Sequence, residues 1–166
     1  MEKVTKIEWA PKWDGGAPMP QVFGNGHKVY LIYTVADWDI NSSMKFVKIG
    51  NSEKQGELLA LVEFAGYTFK FGIANDEVFH GLPLYKSGLT EWAHIIEDSK
   101  WIEELSSIHR VHQSFNPFRW KLMKHYVFLF KDEILEVVAQ DYKIDLYESS
   151  YVDVSNEVLG RMNNVC

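Results

Sequence analysis

Alternation of apolar and polar positions is the most regular feature of this chain. At 67–73, Tyr67, Phe69 and Phe71 alternate with Thr68 and Lys70, the period expected of a strand with one buried face. With 57–64 before it and Gly66 between, this predicts a hairpin or one long bulged strand. The stretch 27–36 (HKVYLIYTVA) is β-branched and aromatic on both alternating faces, as in a strand covered on both sides. A weaker alternation at 43–49, through Met44, Phe46 and Val47, predicts a second strand. The segments 125–130 and 134–145, joined at Lys131, Asp132 and Glu133, read as a hairpin, and 91–97 as a short strand.

Helical periodicity is confined to two places. Trp101, Ile102, Leu105 and Ile108 recur at 3.6-residue spacing behind Ser99, with Glu103 and Glu104 in the early turns and His109 and Arg110 at the end. That order predicts a helix over 99–109 capped by Ser99. A second helix is predicted over 155–162. Four glycines and three prolines within 9–26 predict an ordered loop pinned by Trp9, Trp13 and Phe23. A loop is also predicted around Pro117, and an ordered connection over 75–89. The sum is one α+β domain over 1–166, mainly antiparallel hairpins with two or three short helices. Its expected core includes Tyr30, Ile32, Phe69, Phe71, Trp101, Ile102, Tyr126, Phe128, Phe130 and Val137.

Composition adds bounds. The chain has 166 residues, 46% hydrophobic and 24% charged, which fits one packed core and excludes a disordered or collagen-like chain. The single cysteine, Cys166, cannot form an intrachain disulfide. No apolar run reaches the ~18 residues of a membrane span, and the first residues lack a signal peptide's apolar stretch, so a cytoplasmic protein is expected. A net charge of -6 disfavours a dedicated nucleic-acid binder. The acidity is uneven: residues 105–131 contain no Asp or Glu, while Arg110, Arg119, Lys121, Lys124 and Lys131 alternate there with aromatic residues.

The residues that could carry chemistry are few. His109 and His112, three apart, would share a helical face if the helix continued, and with His125 they could ligate Zn²⁺. No HExxH motif or cysteine pair accompanies them, and histidines at a helix end also serve its dipole. Glu136 interrupts an apolar strand, so it is either solvent-facing or a buried carboxylate with a raised pKa. A two-residue turn at Asp132 and Glu133 would pair His125 with Gln140 and Leu129 with Glu136, leaving His125 and Glu136 on one face but ~13 Å apart. Asn75, Asp76 and Glu77 offer oxygen ligands without EF-hand spacing. Nucleotide-binding glycine loops and a nucleophile elbow are missing from the sequence, so no cofactor is expected.

Several motifs occur in a recognisable order: NDEVFHGLPLY at 75–85, Gly88 and Leu89, Ser99 with Trp101 and Ile102, His109 and His112, then HYVFLFKDEILEVVA at 125–139. In this order they resemble a family of small bacterial proteins of uncharacterised activity. The pattern there has an NDE stretch leading to Gly-His-Pro-Leu, and a strand in which histidine precedes the Asp. Here Leu82 and Lys131 stand at the two histidine positions. If those imidazoles carry chemistry in the family, the resemblance implies that this chain has lost it.

The function expected from these observations is a non-enzymatic binding or interaction protein. Its partner would be a protein or a small molecule, and self-association is allowed. Masking of a partner, as small acidic immunity proteins do, is an analogy for it. The binding candidates are Asn75, Asp76, Glu77, Tyr85, Trp101, His109 and His112. The alternative is a metal- or acid/base-dependent hydrolase for a small polar substrate. It would draw on His125, Glu136 and His80, with Asp76 and Glu77, in a pocket formed where 75–85 folds over the last hairpin.

Overall fold

Two 17-residue strands, β5 (Glu57–Ile73) and β8 (Glu133–Ser149), run antiparallel along their whole length. They form the spine of a computed structural model that describes residues 1–36, 46–47 and 56–163. To one side of β8 lie β7 (Lys124–Leu129), β6 (Trp92–Glu97) and β1 (Lys3–Lys6); to the other side of β5 lie β3 (Val29–Thr34) and β2 (Gln21–Gly24). All of these neighbours pair antiparallel, and β4 (Phe46–Val47) joins β8 in parallel. Three helices complete the fold: α1 (Lys100–His109), α2 (Pro117–Lys121) and α3 (Tyr151–Asn163). The α+β class expected from the pattern is the observed one.

Of the two options for 57–73, the bulged long strand is correct, with register shifts on either side of Gly66. Each strand of the spine changes face at this point. Ala60, Val62 and Phe64 share a face with Phe69, while on β8 Leu135, Val137 and Ala139 share it with Leu146. The sheet also curls. Tyr33 on β3 and Phe130 after β7 are separated by two intervening strands, about 14 Å in a flat sheet, yet their ring centroids lie 6.4 Å apart. Trp9 and Trp13 fill the concave side, Trp9 at 4.7 Å from Phe128 and Trp13 at 4.7 Å from Phe130. Aromatic burial of this kind is the largest apolar contribution available to a chain of this composition.

The convex face has two covers. Tyr30, Ile32, Leu59, Leu61 and Tyr147 receive Val154 and Val158 of α3. Further along, Ile96, Val127 and Ile134 are covered by the 79–89 connection through Phe79, Leu82, Leu84 and Leu89. That connection contains two 3-10 turns, Phe79–Gly81 and Pro83–Ser87, closed by Gly88 at φ 102, a conformation glycine adopts without steric cost.

Several expectations require correction. The predicted loop at Pro117 is the helix α2, capped by Asn116, whose side chain accepts the Phe118 N–H; Asn-Pro is a helix start as well as a turn. The last helix begins at Tyr151, four residues earlier than predicted. The 9–26 loop contains β2, and β1 precedes it. Phe71 is 40% exposed, because β3 pairs with β5 only as far as Phe64 and leaves 66–73 at an edge. Phe69, Trp101 and Ile102 are half-buried, and no residue of α1 is fully buried. Of the strand predicted over 43–49, only 46–47 fall within the described residues; Cys166 falls outside them.

Candidate functional site

The last hairpin turns at Lys131 and Asp132, where the Phe130 N–H donates to the Glu133 carbonyl, one residue earlier than expected. A turn displaced by one residue moves every cross-strand partner by two. Glu136 therefore faces Val127, and His125 faces Val138. His125 and Glu136 become diagonal neighbours on the convex face, within reach of long side chains. The 13 Å separation is overturned: His125 Nε2 lies 2.9 Å from Glu136 Oε2.

The other ring nitrogen is also engaged. Asp98, at φ 52, turns the chain directly from β6 into α1; a short polar residue tolerates that conformation. Ser99 is then placed as the N-cap, its Oγ accepting the Ile102 N–H at 3.2 Å and lying 2.9 Å from His125 Nδ1. With Glu136 ionised, one assignment satisfies every atom: Nε2–H donates to the carboxylate, and Nδ1 accepts the Ser99 O–H. Ile102, Ser99, His125 and Glu136 thus form one directed chain of hydrogen bonds running from a helix N-terminus to a carboxylate. His125 and Ser99 are almost fully buried and Glu136 is about a quarter exposed.

Lys70, on β5 opposite Glu136, completes the arrangement. Its Nζ is 3.9 Å from Glu136 Oε2 and 3.8 Å from the Trp101 ring centroid. Trp101 meets the His125 ring edge to face at 5.1 Å. Burial raises the Glu136 pKa, but the His125 hydrogen bond and the charge of Lys70 outweigh it, and the carboxyl is held below its ordinary value of 4.5. The raised pKa considered for this buried acid is therefore corrected to a lowered one.

These groups line a cavity of about 240 Å³. One wall is apolar, formed by Leu82, Pro83, Leu84, Leu89, Val127 and Ile134; the other carries His125, Glu136, Lys70, Trp101, Glu2, Lys100 and Glu104. The Lys100 N–H donates to Glu2 Oε1 at 2.8 Å, which sets a carboxylate at the positive end of α1. Leu82, at one of the two positions where the resembled motif has histidine, belongs to the apolar wall.

The expected pocket of Asp76, Glu77, His80, His125 and Glu136 is only partly assembled. The 75–85 connection does meet the hairpin, through the Asp76 N–H on the Lys131 carbonyl and through Leu82 to Leu84. Asp76, however, lines a separate cavity with Trp13, Trp92 and Lys131, and Glu77 and His80 are exposed. Asn75 shapes the turn, its carbonyl accepting the Val78 and Phe79 N–H groups, while its Oδ1 is buried without a partner. Tyr85 is 43% exposed, its ring edge against Phe79.

The three histidines proposed as metal ligands do not converge. α1 ends at His109, and His112 lies beyond it in a turn whose N–H donates to the His109 carbonyl. Those two line a third cavity, apart from His125. Among the described residues there is no group of three or more His, Cys, Asp or Glu arranged to hold a metal ion. No described helix is long and apolar enough to cross a membrane.

Sequence reading missed Ser99 as a partner of His125, Lys70 as a partner of Glu136, and the apolar wall. The capping signal at Ser99 was visible, but its second bond depends on where β7 lies. Comparison with known protein families, with curated proteins and with solved structures gave no match, so the motif resemblance brings neither a family nor an activity to this chain.

Proposed function

We propose that this is a non-enzymatic binding protein that takes a small amphipathic cation into the cavity between the 82–84 segment and the β7–β8 hairpin. The observation that carries this reading is the fixed state of His125. The ring is 2% exposed and its two nitrogens are engaged by Ser99 and Glu136, so it holds the Glu136 carboxylate in place and offers no free nitrogen to a molecule in the cavity. Three carboxylates against two ammonium groups in the wall give the cavity a net negative charge, which selects a cationic head. The aliphatic wall accepts an apolar body. Lys70 yields to such a head at little cost, since it is 54% exposed and stands at the distance limit of an ion pair.

The test is thermal shift and calorimetry with a panel of short aryl-alkyl amines and the matching alcohols and carboxylates. Amines should raise the melting temperature and Glu136→Gln should abolish the effect, because a ligand of the native state must stabilise it. Equal shifts from carboxylates, or shifts unchanged in Glu136→Gln, would sink the proposal.

One observation favours a second reading, hydrolysis: Ser99, His125 and Glu136 are the residue types of a nucleophile, a base and an orienting acid in hydrogen-bonded series. Against it, Ser99 Oγ is committed to the Ile102 N–H and is 7% exposed. Mass spectrometry after treatment with a fluorophosphonate separates the two, since a modified Ser99 supports the hydrolase and an unmodified one the binding protein.

A further inference from the structure

We propose that the groove between the β5 bulge and the α1–α2 turn is a second binding site, independent of the His125 cavity, for a small planar aromatic anion. It encloses about 580 Å³, within the roughly 300–1,000 Å³ typical of small-molecule sites.

The aromatic wall is built by the bulge. The register break at Gly66 turns Tyr67 out of the ladder, and its hydroxyl meets His109 Nε2. His109 Nδ1 lies 2.7 Å from the Leu105 carbonyl, as an i−4 partner on α1. Nδ1 must therefore carry the proton, and Nε2 accepts from the Tyr67 O–H. Trp120 closes the set, 5.3 Å from Tyr67 and 5.1 Å from His109 between ring centroids. Three half-buried rings, two joined by a hydrogen bond, make a rigid wall suited to edge or offset contact with another ring.

The polar side carries one cation. Arg119 lines the groove and is exposed, and no acidic residue occurs in 105–131. Among the described residues no carboxylate pairs with Arg119. A guanidinium beside aromatic rings can bind a carboxylate or phosphate bidentately and stack on the ring that carries it. The net charge of -6 repels a long polyanion, whose binding needs many phosphates neutralised, and so restricts the ligand to a single anionic group.

The experiment is calorimetry at low salt with 1-naphthoate, 1-naphthyl phosphate and 1-naphthylmethanol, with amide NMR to locate binding. At least one anion should bind ten or more times more tightly than the alcohol, with shifts at the Trp120 indole, and the two anions separate carboxylate from phosphate preference. Arg119→Gln, at an exposed position that leaves the rings intact, should remove the tenfold advantage. Lys86→Gln, outside the groove, should keep it. Equal affinity for the alcohol, an unchanged advantage in Arg119→Gln, or shifts confined to the residues around His125 would overturn the proposal. Failure of the amine panel at Glu136 would leave it standing, since the two sites share no lining residue.

Discussion

His125 Nε2 lies 2.9 Å from Glu136 Oε2 although neither residue is the other's cross-strand partner. The contact is a diagonal one, and it depends on a turn that closes between Phe130 and Glu133. Because His125 is held by Ser99 on its far side, the carboxylate is tied through the imidazole to the first turn of α1.

Ser99→Ala should therefore cost more than an ordinary cap. Loss of the cap costs about 1 kcal/mol, and leaving a buried ring nitrogen without its donor adds about 1–3 kcal/mol. A total of about 2–4 kcal/mol is expected in urea unfolding, with Ser99→Thr costing far less. A loss no larger than that of a simple cap would show that the Ser99–His125 bond contributes nothing.

Glu136→Gln should change the acid limb of stability. The folded-state pKa of Glu136 is lowered, so its stabilisation is complete above the unfolded-state value near 4.5 and is lost as pH falls through the folded-state value. The variant should be less stable than wild type by about 1 kcal/mol at neutral pH, and the two should converge as pH falls below 4.5. A constant difference across this range would contradict the assignment.

His94 gives a separate window. It is fully buried on β6, its Nε2 3.2 Å from Thr90 Oγ1 and its Nδ1 without a partner. Burial, with the charge of Lys6, pushes its pKa from 6.5 down to about 4. Between these values the unfolded chain binds a proton that the native state refuses, so stability falls as pH drops from 6.5 to 4, by about 3 kcal/mol in total. His94→Leu should flatten this segment of the pH profile and leave the Glu136 segment in place. An unchanged slope would assign the effect to another group.

The strands were legible where β-branched and aromatic side chains recur along the segment, whether one face is buried or both. Tyr126, Phe128 and Phe130 read correctly because the period of two survives along β7. Helix α1 read correctly because Ser99 and the early acids mark its start. The site was less legible, because its geometry turns on a single-residue choice of turn. Lys131-Asp132 and Asp132-Glu133 are both acceptable turn pairs, and only the packing of Leu135 and Val137 against Tyr126 and Phe128 fixes the register. The bulge at Gly66 was anticipated, but its consequence, Tyr67 against His109 on a helix 42 residues away, is a tertiary contact with no local signature.

The convex face near α3 carries a charged cluster whose response to mutation should be non-additive. Glu63 is 7% exposed and pairs with Lys28, with Lys143 at 3.3 Å and with Arg161 at 3.2 Å. Arg161 also bonds Asp145 at 2.9 Å, Glu157 at 2.9 Å and the Tyr147 hydroxyl at 2.8 Å, fastening the end of α3 to the sheet beside the Val154 and Val158 contacts. Arg161→Met removes the cation shared by these acids while keeping an apolar stem, and should cost about 2–4 kcal/mol, less than breaking a fully buried pair because Asp145 and Glu157 are partly exposed. Glu63→Gln leaves three cations facing a neutral amide and should cost about 1–3 kcal/mol. The double variant should cost less than the sum, by about 1 kcal/mol or more, since removing both charges relieves the unpaired partner that each single change creates. Chemical denaturation of the four proteins closes the cycle, and a double variant that equals the sum of the singles would show that Arg161 and Glu63 are energetically independent despite their contact.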